Sequence, residues 1–172
     1  MSGGVVVTTS HSIELAGMIR RKAAELKEAC REVDENLAAR APGDRWSPRM
    51  IISHLCGPEE TGHTAFLKAF IDSDTPRLEL NAGNPFYTDK RAAMSFSELL
   101  AACEANYEQV AGLVEGLNDA QLARMAHIPE LKETALGEYP TLAGMINGLG
   151  EFHIQSHIEH LQEILAELAT SG

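Results

Sequence analysis

Paired cysteines are missing from this sequence. Its three, Cys30, Cys56 and Cys103, are an odd number at wide spacing. No Cys-x₂-Cys pair exists to build a thiolate zinc site or a redox dithiol, and free thiols fit a reducing cytoplasm. Basic residues are also short. Lys and Arg total 14 against 25 Asp and Glu, a net charge of −11, and such a surface repels phosphate backbones and anionic membranes. Nucleic-acid binding is therefore disfavoured as the main activity. No apolar run approaches the ~20 residues that span a bilayer. The N-terminal Met-Ser-Gly-Gly-Val-Val-Val lacks the basic region of a signal peptide. A soluble cytoplasmic protein is expected. Aromatic residues make up only 5% while Ala, Leu and Glu abound, a balance that favours helix.

Helical periodicity fills four segments. Residues 12–40 carry a stripe of Leu15, Ile19, Leu26, Cys30, Val33 and Leu37, closed by Ala41-Pro-Gly-Asp. A second helix opens at Ser47-Pro48, an N-cap followed by proline at the first helical position, and runs to about residue 72. Gly57-Pro58 interrupts it one turn after His54, where a kink or break is expected. A third starts at the capping box Ser95-Phe-Ser-Glu98. Its seam of Phe96, Leu100, Cys103, Tyr107, Val110, Val114 and Leu117 suits antiparallel bundle packing. The fourth covers residues 141–169 with a stripe of Leu142, Ile146, Leu149, His153, His157, Ile164 and Leu168. Residues 73–94 form a long connection, either a cap over a pocket or a solvated loop. Residues 118–139 read as irregular with at most a short helical turn. The pattern predicts an all-α protein: a flexible N-terminus over residues 1–11 and a single four-helix bundle over 12–169.

Within that frame the histidines stand out. His153 and His157 are four apart, so on a helix they share one face. An imidazole from another helix would complete a three-nitrogen site with an open position, the layout of a catalytic metal. His54, one and a half turns into the second helix, is a candidate that also reads as a core histidine. Both members of the pair fall on the apolar stripe, and the bland reading is two hydrogen-bonded core histidines. His160 is an outer partner of the site or a stripe residue. His63 should face elsewhere unless the Gly57-Pro58 kink rotates it, and His11 and His127 are expected at the surface. Cys56 and Cys103 read as buried small hydrophobes. Glu59, Glu60 and Glu138 are bases near a metal or simply solvated carboxylates, so no catalytic residue is assigned.

Trp46-Ser47-Pro48 followed by His54-Leu55, with His153 and His157 in a late helix, resembles the DinB/YfiT-like superfamily over about residues 12–169. The resemblance implies a four-helix bundle of up-down-down-up type that binds a divalent metal, zinc or nickel, through His54, His153 and His157. Relatives include thiol transferases using bacillithiol or mycothiol and a mycothiol-dependent maleylpyruvate isomerase, and dimers are common among them. Two features depart from the pattern: His160 stands where many relatives carry glutamine, and Gly57-Pro58 interrupts a helix that many continue. The expectation is a metal-dependent enzyme, a thiol S-transferase or hydrolase. It would act as a homodimer on a small-molecule substrate, with a low-molecular-weight thiol as possible cosubstrate and the substrate entering beside the 73–94 loop. The rival expectation is a non-catalytic helical interaction protein with structural histidines. Metal storage or sensing is a third.

Overall fold

The computed structural model describes residues 9–171. Most of the flexible stretch expected at residues 1–11 lies outside the described residues. Thr9, at its end, already caps the first helix by accepting a hydrogen bond from the Ser12 amide at 3.3 Å. That helix, α1, spans Ser10–Ala29. A short α2, Glu35–Ala39, follows under an Asp34 cap whose Oδ1 accepts from the Leu37 amide at 2.8 Å. The single helix expected over residues 12–40 is therefore two, because Asp34 starts a new first turn in what read as one stripe.

The second segment is also divided. Helix α3, Pro48–Cys56, has the expected Ser47 cap and proline start, and α4 covers Thr64–Asp72. Between them Gly57 adopts φ +71° and ψ −167°, a conformation essentially confined to glycine. Carbonyls freed at the end of α3 find side-chain donors. The Leu55 carbonyl accepts from His63 Nε2 and from the Tyr107 hydroxyl, each at 2.8 Å, and the Cys56 carbonyl accepts from Asn106 Nδ2 at 3.0 Å. Partners for orphaned carbonyls are what a buried helix end requires.

The long connection contains α5, Asp89–Ala93. Helix α6, Phe96–Glu115, opens with both halves of the predicted capping box in place. A one-turn α7, Asp119–Leu122, and a short 3-10 turn at Pro129–Leu131 interrupt the irregular stretch. Helix α8, Leu142–Asn147, runs through a π-helical turn, Gly148–Ile154, into α9, Gln155–Thr170.

The long elements form a four-helix bundle. Helix α1 lies along α6, α3 packs on α6 and α9, and the π turn lies against α1. Ile19, Leu26, Ile51, Leu55, Leu99, Tyr107, Val110, Ile146 and Leu161 are buried between them. Among the described residues there is no strand, only isolated bridges pairing Arg77 with His127 and Met125 with Thr141. No helix among them is long and apolar enough to cross a membrane.

The π turn corrects the expected stripe. Gly150, Ile154, Ile158 and Leu161 enter the core, while His153 and His157 are only half-buried on its flank. A π turn closes its hydrogen bonds five residues apart instead of four, so the apolar face upstream is out of phase with the face downstream. Contact with α1 is close at this point: a Cβ on Gly150 would lie 2.0 Å from Met18 Sδ.

Candidate metal centre

His54, His153 and His157 come together on the flank of the core. Helix α3 supplies the first, the π turn the second and α9 the third. One ring nitrogen from each lies within 4.8 Å of the others. His54 Nε2 and His153 Nε2 stand 3.0 Å apart. His54 Nδ1 faces the Asn84 carbonyl at 2.7 Å. A carbonyl only accepts, so Nδ1 carries the proton and Nε2 points its lone pair at the other two rings.

Burial keeps the rings neutral. It is the first cause that pushes the His153 pKa down to about 3, with His157, His54 and His63 adding repulsion. His157 is pushed down to about 4 by burial and then by His54 and His160. His54 is also lowered by burial, which outweighs the opposing bond to Asn84. His157 Nδ1 is buried without any hydrogen-bond partner, a costly state for a polar atom.

Aromatic rings wall the cluster. Trp46 stacks on His157 at 6.4 Å and 9° and lies 5.2 Å from the centre of the His54 ring. Phe86 stacks on the other histidine, His54, at 6.1 Å and 10°. Asn84 and Phe86 belong to the 73–94 connection, which lays these two residues against His54 while most of its length stays exposed. No signal in the sequence marked either residue, since a backbone carbonyl has no residue type and Asn81-Ala-Gly-Asn-Pro spells only turns. A cavity of about 450 Å³ lies where α2, the start of α3 and α5 meet, lined by Glu35, Ser47, Arg49, Met50, Tyr87 and Ala92.

The remaining candidates separate from the three. His160 is half-buried, with its ring centre 5.7 Å from that of His157 and 6.4 Å from that of Trp46. His63 is turned inward by the Gly57 break and lies 6.5 Å from His153, stacked on Tyr107. His11 is exposed, as expected. His127 is not at the surface: it is half-buried, its Nε2 2.8 Å from Glu138 and its ring stacked on Tyr139. The surface expectation failed because the main chain at 127 pairs with Pro76 and Leu78 and draws the residue under that segment. Glu138 is engaged there. Glu59 accepts from Thr88 and pairs with Lys90 at 3.2 Å, and Glu60 is exposed. Cys30, Cys56 and Cys103 are free and buried, and burial drives the Cys30 thiol up to about 12.

No family model and no curated protein matches the sequence. A solved structure does resemble this one. It is YfiT from Bacillus subtilis, described as a probable metal-dependent hydrolase with an unusual four-helix bundle topology. The likeness has a TM-score of 0.72 at 20% identity and covers 92% of this chain and 87% of that one. At that identity the likeness shows the fold alone, a four-helix bundle.

Proposed function

We propose that this chain is a metal-dependent enzyme, a hydrolase or a low-molecular-weight-thiol S-transferase, in which His54, His153 and His157 hold one divalent ion, zinc or nickel. The observation that carries the reading is the convergence of three neutral imidazoles from α3, the π turn and α9 within 4.8 Å. The donor set suits the ion. Zinc–nitrogen bonds of about 2.0–2.1 Å put neighbouring ligands of a tetrahedron roughly 3.3 Å apart, and the two Nε2 atoms are already 3.0 Å apart. A ligand role also accounts for the ring of His157, whose buried Nδ1 otherwise lacks a partner.

Such an ion supplies Lewis acidity, lowering the pKa of a water or thiol and polarising an acyl oxygen. The protein's part is preparation. His54 is held in one tautomer by Asn84, so its lone pair needs no reorganisation. His153 and His157, with pKa values of about 3 and about 4, offer lone pairs at neutral pH without proton competition. Trp46 and Phe86 pack against the ligand rings from two sides. No carboxylate joins the cluster among the described residues, so three neutral donors would leave the full positive charge to act on a substrate.

That YfiT is described as a probable metal-dependent hydrolase favours the hydrolase arm. The Trp46-Ser-Pro, His54-Leu and His153-x₃-His157 pattern favours the thiol arm. A small-molecule substrate fits a centre walled by side chains. A cytoplasmic homodimer completes the reading, in keeping with free, buried cysteines. The test is metal content by mass spectrometry on tag-free protein beside His153→Ala. Near-stoichiometric zinc or nickel that the variant loses supports the reading and opens a screen of esters, amides and thiol–electrophile pairs. A parent that takes up neither metal after reconstitution removes it and leaves a helical interaction protein.

A further inference from the structure

Two arginines are buried between α3 and α5, and each reaches the other's helix. Arg49 of α3 donates Nη2 to the carbonyls of Arg91, Ala92 and Met94 at the end of α5, Nε to the Tyr87 hydroxyl at 3.0 Å and Nη1 to Glu35 at 2.9 Å. Arg91 of α5 reaches back. Its Nη1 donates to the Ser53 carbonyl at 3.0 Å, to Ser53 Oγ at 3.4 Å and to the Phe86 carbonyl at 3.1 Å. All these acceptors of Arg91 are neutral. Burying a cation against neutral oxygens is costly, and a guanidinium is suited to it only because its fork grips several acceptors at once.

The grip falls on both sides of His54. Ser53 is its chain neighbour, and Ser53 Oγ also donates to the Phe86 carbonyl at 2.9 Å. Phe86 lies two residues beyond Asn84, whose carbonyl accepts the hydrogen bond from His54 Nδ1, and its ring stacks on His54. Phe86 also holds φ +49°, a left-handed conformation that a bulky residue keeps only where its surroundings over-determine it. Three contacts hold it: its amide donates to Asn84 Oδ1 at 2.8 Å, and its carbonyl accepts from Arg91 and from Ser53.

We propose that Arg91 is a positioning residue: by clamping Phe86 to Ser53 it keeps the Asn84 carbonyl on His54 Nδ1 and so holds His54 in the tautomer whose Nε2 lone pair faces His153. Without the clamp, Phe86 relaxes, Asn84 withdraws, and the His54 proton moves freely to Nε2, where it blocks that nitrogen as a donor. The consequence for metal affinity rests on the proposed function; the tautomer itself does not.

The experiment compares the parent, Arg91→Met and Arg91→Lys in two readouts. Long-range nitrogen–proton NMR of metal-free protein at pH 7.5 reports the His54 tautomer. Competition with a chromophoric chelator reports zinc affinity. Arg91→Met is expected to give a mixture of tautomers and a loss of affinity of about 10- to 100-fold, the usual effect of removing an outer partner of a ligand; Arg91→Lys should lie between. If Arg91→Met keeps the parent's tautomer and its zinc affinity within about twofold, with only the melting temperature lowered, Arg91 is a plain helix tie and the proposal fails. If the parent binds no zinc, the tautomer alone decides, and the metal reading falls without this one. Should Arg91→Met not fold, Ser53→Ala removes the Oγ half of the junction and is read in the same two ways.

Discussion

The imidazole of His63 fills the space that any side chain on Gly57 would need: its Cε1 lies 3.1 Å, and both ring nitrogens 3.3 Å, from the position of an added Cβ. Gly57 also donates its amide to the His54 carbonyl at 3.0 Å, so backbone shape, ring packing and a candidate ligand meet within one turn. Gly57→Ala should cost about 1–3 kcal/mol, since the φ of +71° disfavours any side chain. Urea unfolding measures the loss. A chelator titration of the same variant should show weakened metal uptake, because displacing His63 disturbs the end of α3. An unchanged unfolding midpoint would mean that the turn relaxes freely.

Acid should weaken the metal-free fold through the same histidines. Their folded pKa values, about 3 for His153 and about 4 for His157, lie below the unfolded value of about 6.5. Between those limits the unfolded chain binds more protons, so stability falls as pH drops below about 6.5. Carboxylates contribute in the same window, so the comparison is with His153→Ala. The variant should lose stability less steeply between pH 6.5 and 4 than the parent. Parallel curves would show that His153 is not held neutral by burial.

His160 tests how far the centre extends. Its ring is next to His157 and Trp46 but outside the three-nitrogen cluster. His160→Gln is expected to keep full metal stoichiometry and to lower affinity by no more than about 10- to 100-fold, the usual effect of removing a ligand's outer partner. Complete loss of metal would make His160 a ligand.

Gly150 is the contact between the π turn and α1. Gly150→Ala brings a methyl into Met18 Sδ, and overpacking of this kind costs about 1–3 kcal/mol. Adding Met18→Ala should recover part of that loss, although a cavity replaces the clash. Thermal unfolding of the two single variants and the double variant decides it, and simple additivity would show that the two sites do not touch.

Much of this fold was legible because its signals are local. Ser47-Pro48 and Ser95-Phe-Ser-Glu98 are complete statements of a helix start, and both helices begin where they say. Gly57-Pro58 announced a break in the same way. The Asp34 cap was missed because a cap inside a continuing stripe looks like one more polar residue. The π turn was missed because its single extra residue leaves no mark on composition. His54, His153 and His157 could be singled out by spacing, yet the spacing said nothing of Asn84, Phe86 or Arg91. Those act through a carbonyl, a strained backbone and a buried guanidinium, and each depends on where a long connection comes to rest.

The wide turn at Gly148–Ile154 has a bearing on inheritance. A chain one residue shorter at this point would thread the same bundle as an uninterrupted α-helix, with α8 and α9 still presenting Ile146, Ile158 and Leu161 inward. His153, inside the turn, would rotate away from His54 while the scaffold survived. Architecture and chemistry are thus written at different places in this helix.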